Sequence, residues 1–227
     1  SWICNRQNNL IDSAWFERKD VFNIELEKSW ISIKEPIKFP CKNGKSWRDY
    51  VMEPRLEISC GEAPYLASRY DTVTGQYIQV PDRIGLLDRK LRVISENVDD
   101  KIEWVAWVYR AYQNVYGFDW QGDNVLLARQ NLLNTFIDYY AFKFNEEPCE
   151  ELLLNIAFII SWNIWQMDGL RFVIPNTCKN KENNYIQLSL FGDTEESKSK
   201  SCEGCAKNDP FLHSGIYCKI MDWSKKK

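Results

Sequence analysis

From Arg83 onward, apolar residues recur at helical spacing. Ile84, Leu87, Leu91 and Ile94 share one face, and the same period runs through Asp100 to Tyr116, Asp123 to Phe144 and Cys149 to Met167. Helices are therefore expected throughout the centre of the chain, with Gly117, Gly122 and Pro148 as boundaries and Asp123 and Asn124 as N-cap residues. Residues 1–60 have a different pattern. They are rich in aromatic and β-forming residues, and Pro36, Pro40 and Pro54 divide them into short segments such as Ser29-Trp-Ile-Ser-Ile and Arg55-Leu-Glu-Ile-Ser, which predicts strands and loops. Tyr70-Asp-Thr-Val-Thr-Gly-Gln-Tyr-Ile predicts a hairpin around Gly75. After Pro175 the composition shifts to Lys, Asn, Glu and Ser, which predicts a polar linker. The expected fold class is α+β: a strand-rich N-terminal part, a helical centre and a small C-terminal module. The expected boundaries are a main domain at 1–178, a linker at 179–201 and the module at 202–227.

Length and charge narrow the function classes. A chain of 227 residues accommodates one full-sized domain with a small appendage. Its net charge of −3 excludes a basic polyelectrolyte, so any nucleic-acid contact must be local. No apolar run is long enough to span a bilayer, since Ile156 to Ile160 is interrupted by Ser161 and Asn163. Eight cysteines without a secretory leader point to the cytoplasm, and Cys4, Cys41, Cys60 and Cys149 have no motif spacing. The chain starts at Ser1 with no start-like leader, so a fragment of a longer protein with an upstream domain is expected.

The only histidine lies in a cysteine-rich C-terminal stretch. Cys202, Cys205, His213 and Cys218 follow the pattern C-x2-C-x7-H-x4-C, whose thiolate and imidazole donors suit tetrahedral Zn2+. With all four positions filled by protein, the site would be structural, in a zinc-ribbon-like module with Gly204 and Gly215 easing the backbone. The alternative is an incidental C-x-x-C in a chain with many cysteines. Cations form two further groups. Arg83, Arg89, Lys90 and Arg92 form one DNA-binding cluster, in which Arg89 and Arg92, three apart on a helix, would face one phosphate strand, and Lys198, Lys200, Lys207, Lys225, Lys226 and Lys227 make the module locally basic; either set is otherwise a solvated face.

Three strings carry resemblances. Gln187-Leu-Ser-Leu-Phe resembles the pentapeptide by which bacterial DNA-processing proteins dock on the replication sliding clamp, with Gln187, Leu188, Leu190 and Phe191 as the contacting residues; a local strand is the alternative. Leu56-Glu-Ile-Ser-Cys-Gly-Glu-Ala-Pro-Tyr-Leu resembles the S-adenosylmethionine-binding motif of DNA adenine methyltransferases. That resemblance implies a partial Rossmann-like methyltransferase fold, with Glu57, Cys60, Gly61 and Pro64 cradling the cofactor and Asp88 taking its ribose. The second glycine of the family's turn is absent, with Ala63 near its place, and a strand followed by a Pro-initiated helix is the alternative. From about Trp2 to Trp223, the strings Cys-Gly-Glu-Ala-Pro-Tyr-Leu, Leu-Leu-Asp-Arg-Lys, Trp-Gln-Gly-Asp-Asn, Ser-Trp-Asn-Ile-Trp-Gln-Met-Asp-Gly-Leu and Gly-Ile-Tyr-Cys are together similar to bacterial proteins called restriction endonuclease subunit M.

These resemblances imply a DNA-modification component of a restriction-modification system, related to S-adenosylmethionine-dependent adenine-N6 methyltransferases and working with a partner subunit. The Pro-Pro-aromatic loop that such enzymes use to hold a flipped base is absent, because the chain contains no Pro-Pro; the catalytic loop would lie in further chain or in the partner. The alternative function is a non-catalytic DNA-binding adaptor that localises a partner through its zinc module and clamp peptide. Trp162, Trp165 and Met167 are expected to pack in the core, and Asp168-Gly169 to form a helix-ending turn.

Overall fold

The computed structural model describes residues 1–40, 45–178 and 202–225. Among them are seven α-helices, an antiparallel strand pair and a three-stranded parallel sheet, a mixed α+β architecture. The chain opens on a helix where strands were expected. α1 (Trp2–Phe16) buries Cys4, Asn5, Asn8, Asp12 and Phe16, while Ile3, Leu10 and Ile11 stand exposed. Its inward face is thus mainly polar, so hydrophobic periodicity gives no helical signal there. β1 (Asn23–Glu25) and β2 (Trp30–Ser32) pair antiparallel, and α2 (Trp47–Met52) begins at a capping box between Ser46 and Asp49.

β3 (Arg55–Ile58) runs parallel to β4 (Val115–Asp119), which runs parallel to β5 (Ile164–Gln166), in the order β3-β4-β5. α3 (Leu86–Asn97) and α4 (Lys101–Gln113) connect the first pair of strands. α5 (Gly122–Phe144) and α6 (Glu150–Asn163) connect the second. The helical periodicity is therefore real, but the expected helices at Asp100–Tyr116 and Cys149–Met167 each run into a strand. Both strands are short, β4 largely buried and β5 only at Ile164, and runs this short do not declare their period. The hairpin at Tyr70 is present as a single antiparallel bridge to Tyr77, with Gly75 at positive φ. No helix among the described residues is long and apolar enough to cross a membrane.

The polar face of α1 is met by Arg89 of α3, by Tyr50 and by the carbonyls of Tyr65 and Ile84, with Asn8 Oδ1 left without a partner. Arg89, 1 % exposed, donates to Asp12 Oδ2 at 2.5 Å, to the Asn5 and Asn9 side-chain oxygens at 3.0 and 2.8 Å, and to the Ile84 carbonyl at 3.0 Å. Tyr50 donates to the other Asp12 oxygen at 2.9 Å. Asn8 donates to the carbonyls of Tyr65 and Ile84 at 2.9 and 3.0 Å.

Three of the four cations expected on DNA, Arg83, Arg89 and Lys90, are therefore part of the interior, and Arg92 is half-buried. Lys90 is fully buried, donating to the carbonyls of Glu53 and Asn114, and its burial holds its pKa well below the ordinary lysine value. Arg83 is buried and donates to Asp138 Oδ2 at 2.5 Å and to Tyr77 Oη at 2.6 Å. Arg92 pairs with Glu96 at 2.7 Å and reaches the Phe22 and Glu35 carbonyls. The helical spacing of these residues fits a surface stripe as well as a buried face, and only the acceptors on α1 and α5 distinguish the two.

Removing one partner of a buried ion pair leaves the other charged and unpaired. Asp12→Ala is expected to cost about 3–5 kcal/mol, measured as a lower urea midpoint at pH 7.

Candidate metal centre and the strand-end carboxylates

β3 ends in a tight turn. Cys60 N–H donates to the Phe118 carbonyl at 2.9 Å, and Gly61 N–H donates to Asp119 Oδ2 at 2.8 Å, so the turn is fastened to the carboxyl end of β4. Ser59, Gly61 and Ala63 all have positive φ. A Cβ on Gly61 would meet nothing within 4 Å, so glycine is required there by its dihedral and not by lack of space. Ala63, at φ 62°, takes a left-handed conformation although it is not a glycine. Pro64 begins a turn over 64–66, not a helix.

Two carboxylates meet at these strand ends. Glu57 is buried; Oε1 accepts weakly from Tyr65 N–H at 3.5 Å, and Oε2 has no protein partner. Desolvation raises its pKa to about 8, the nearby backbone N–H groups oppose the rise, and the charge of Asp119 adds to it. Asp119, also buried, is held from three sides: by Gly61 N–H, by Gln121 N–H at 2.8 Å and by the Asn124 amide at 3.1 Å. Burial likewise pushes the Cys60 thiol up to about 12, so it remains neutral beside them. Asp119 was not singled out from the sequence, where Tyr116-Gly-Phe-Asp falls at the boundary of a predicted helix; the β-rich run ending in an acid before Trp-Gln-Gly was its only signal.

Asp88, the expected ribose acid, is not at a strand end. It lies in the first turn of α3, fully buried, and its Oδ2 accepts from Ser68 N–H at 2.8 Å, Ser68 Oγ at 3.1 Å and Gly85 N–H at 3.1 Å. Ser68, in turn, accepts from Ile84 N–H at 2.7 Å. Asp88 is thus a structural cap with no access to a ligand.

The second cluster is made of thiols. Cys178, Cys202, Cys205 and His213 bring their ligand atoms within 4.8 Å of one another. The three sulfurs lie 3.5, 3.7 and 3.6 Å from His213 Nδ1. A Zn2+ tetrahedron with Zn–S near 2.3 Å and Zn–N near 2.0–2.1 Å has S···N edges of about 3.6 Å, so this group is able to hold such an ion. Cys202 begins α7 (Glu203–Lys207) and accepts from Ser214 N–H at 3.2 Å; bonding to Ser214 lowers its pKa to about 5 and so favours the thiolate. Desolvation and the adjoining Cys205 and Cys202 sulfurs push Cys178 up to about 11, a conflict that a bound cation would relieve. Gly204 and Gly215 are needed for space: a Cβ would come within 2.7 Å of His213 N and 2.8 Å of Thr177 Oγ1, respectively.

Cys202, Cys205 and His213 thus come together as expected, but Cys178 takes the fourth place in the group. Cys218 points instead at the Gln166 carbonyl, 3.7 Å away. The motif spacing favoured the nearer cysteine, whereas the chain brings in the one before 179–201. Among the described residues around this group there are a five-residue helix and one bridge, Val173 to Tyr217, in place of ribbon strands. Asp168 forms a turn, accepting from the N–H groups of Leu170 and Arg171, but the turn follows β5 and not a helix; Met167 is buried while Trp165 is half-buried. Gln187, Leu188, Leu190 and Phe191 lie outside the described residues, as do Cys41, Lys198, Lys200, Lys226 and Lys227.

The four-ligand group is expected to bind about one equivalent of zinc. Cys178→Ser should abolish stable binding while Cys218→Ser retains it, as read by elemental analysis after gel filtration. Glu57 yields a second expectation. Its folded pKa lies above its ordinary value, so its protonated form favours the folded state, and stability should fall as pH rises from about 4.5 to about 8. Glu57→Gln should remove that slope, a difference on the order of a few kcal/mol at pH 8, in urea titrations across this range. Compared with protein-family models, with curated proteins and with solved structures, the chain matches none of them.

Proposed function

We propose that this chain is a cofactor-binding component of a DNA-modification assembly in a restriction-modification system, taking S-adenosylmethionine at the carboxyl ends of β3 and β4. One observation carries the proposal: Glu57 has a buried carboxylate oxygen without a partner, beside Asp119 on the neighbouring parallel strand. In parallel α/β sheets, ligands sit outside the carboxyl ends of the strands, and an acid closing the strand next to the glycine turn takes ribose hydroxyls. Asp119 fits that role in place of Asp88, since the amides of Gln121 and Asn124 already orient its carboxylate. Glu57 would receive the cationic methionine end of the ligand, which would supply the positive charge that burial denies it. The turn at Cys60, Gly61 and Pro64 would bring backbone close to the ligand.

When bound, S-adenosylmethionine supplies an activated methyl group. Transfer to a DNA base would require an amine-holding loop from a partner subunit, since this chain has no Pro-Pro. DNA contact would then come from surfaces other than Arg83, Arg89, Lys90 and Arg92. The metal group supports a second reading, a non-catalytic adaptor that localises a partner enzyme on DNA or, through Gln187 to Phe191, on a sliding clamp.

Isothermal titration separates the two. The wild type is expected to bind S-adenosylmethionine with Kd below about 1 mM, about −4 kcal/mol, and Asp119→Asn to weaken binding by at least about tenfold, about 1.4 kcal/mol. Because Glu57 must lose a proton to meet a cation, affinity should rise as pH increases from about 6 to about 8 and then level off; Glu57→Gln should abolish both the affinity and its pH dependence. Absence of binding at millimolar ligand, together with clamp or DNA binding, would leave the adaptor.

A further inference from the structure

The metal group and the strand ends are joined by one stretch of chain. After β5, Met167 N–H donates to the Asp119 carbonyl at 2.8 Å, and Asp168 follows at the end of the strand. The turn from Asp168 closes on itself: Asp168 N–H donates to the Val173 carbonyl at 2.9 Å, and Phe172 N–H to the Asp168 carbonyl at 2.8 Å. It then rests on the C-terminal module. Cys218 N–H donates to the Phe172 carbonyl at 3.0 Å, Ile174 N–H to the Ile216 carbonyl at 2.8 Å, and Ile216 N–H to Thr177 Oγ1 at 3.0 Å. Arg171 spans the two parts, 3.5 Å from Asp168 Oδ2 and 3.9 Å from Cys205 Sγ. On the other side, Gly169 packs so closely on Ile58 of β3 that a Cβ would come within 2.7 Å of it.

The module has little of its own to keep those partners in place. Phe211, Ile216 and Ile220 are exposed, and among its described residues those buried are Cys202, Gly204 and His213; its one apolar anchor on the main core is Trp223, which donates to Asn163 Oδ1 at 2.9 Å. A small unit of this kind depends on its metal for order.

We propose that the metal centre is a latch for the strand ends. With metal bound, the module fixes Phe172 and Ile174, and Arg171 acts as a positioning residue that ties Asp168 to the ligand Cys205. Without it, the turn from Asp168 to Ile174 loses its supports and the strand-end site loosens. The consequence for ligand affinity rests on the S-adenosylmethionine reading, whereas the ordering of the turn does not.

Hydrogen exchange by mass spectrometry on the full chain tests the latch, comparing the zinc-loaded protein, the chelated protein and the chelated protein with zinc restored. Chelation should raise exchange in 166–174 by about tenfold or more while α4 and α5 stay protected, and zinc should reverse the change. S-adenosylmethionine affinity should fall in parallel. Arg171→Met should retain one equivalent of zinc, yet show faster exchange at 168–172 and several-fold weaker ligand binding. Unchanged exchange in 166–174 after metal removal would overturn the latch. So would loss of protection throughout α4 and α5, since the metal would then support the whole fold. Arg171→Met with unaltered exchange would remove Arg171 from the proposal. If zinc-loaded wild type shows no ligand affinity, the cofactor reading fails, and the exchange data alone decide the latch.

Discussion

Arg89 is the interaction on which the arrangement of this fold depends. A guanidinium excluded from water is tolerated only when its donors are met, and here they are met by Asp12, Asn5, Asn9 and the Ile84 carbonyl. α1 is thereby held against α3 through polar groups. Asn8, on the same face, fixes the carbonyls of Tyr65 and Ile84, one of them in the segment that follows the β3 turn. The hydrogen bonds that dock α1 thus also bear on the backbone that reaches Glu57. Such a network has one good geometry, and each partner lost leaves another buried group unsatisfied.

Around that anchor the two halves of the molecule use burial differently. Asp88, Lys90 and Arg83 are ionisable groups spent on structure, each held by several neighbours: Ser68 and Gly85, the Glu53 and Asn114 carbonyls, Asp138 and Tyr77. Glu57 shares with Asp88 and Arg83 a buried polar atom that meets no partner, but it alone of the three closes a strand of the parallel sheet, beside Asp119. Burial, only partly opposed by backbone N–H groups, is what raises its pKa to about 8, and the proposed ligand site rests on that strand end.

The C-terminal module follows another principle. It exposes much of its apolar surface, and its Cys/His group takes four donor atoms from both sides of the 179–201 stretch. Cys178 makes the metal group a cross-link between the end of the parallel sheet and the last residues of the chain. A ligand set made only of Cys202, Cys205, His213 and Cys218 would have closed the module on itself and left Asp168 unconnected to it.

The sequence alone established the helical centre, the turn at Gly75, β3 with its Cys-Gly turn, and three of the four members of the Cys/His cluster. Each of these rests on local spacing: a period along one face, a glycine at a positive φ, or donors a few residues apart. Tertiary structure decided the rest. α1 shows no amphipathic pattern because its buried face is polar, and β4 and β5 are too short for a period to distinguish them from helix. Arg83, Arg89 and Lys90 have the spacing of a phosphate-binding stripe and become core residues only because acceptors from distant segments meet them there. Asp119 replaces Asp88 at the strand end, and Cys178 replaces Cys218 at the metal, for one reason. Which side chains converge is set by strand order and chain crossing, and these depend on contacts between residues far apart in sequence, which no local pattern records.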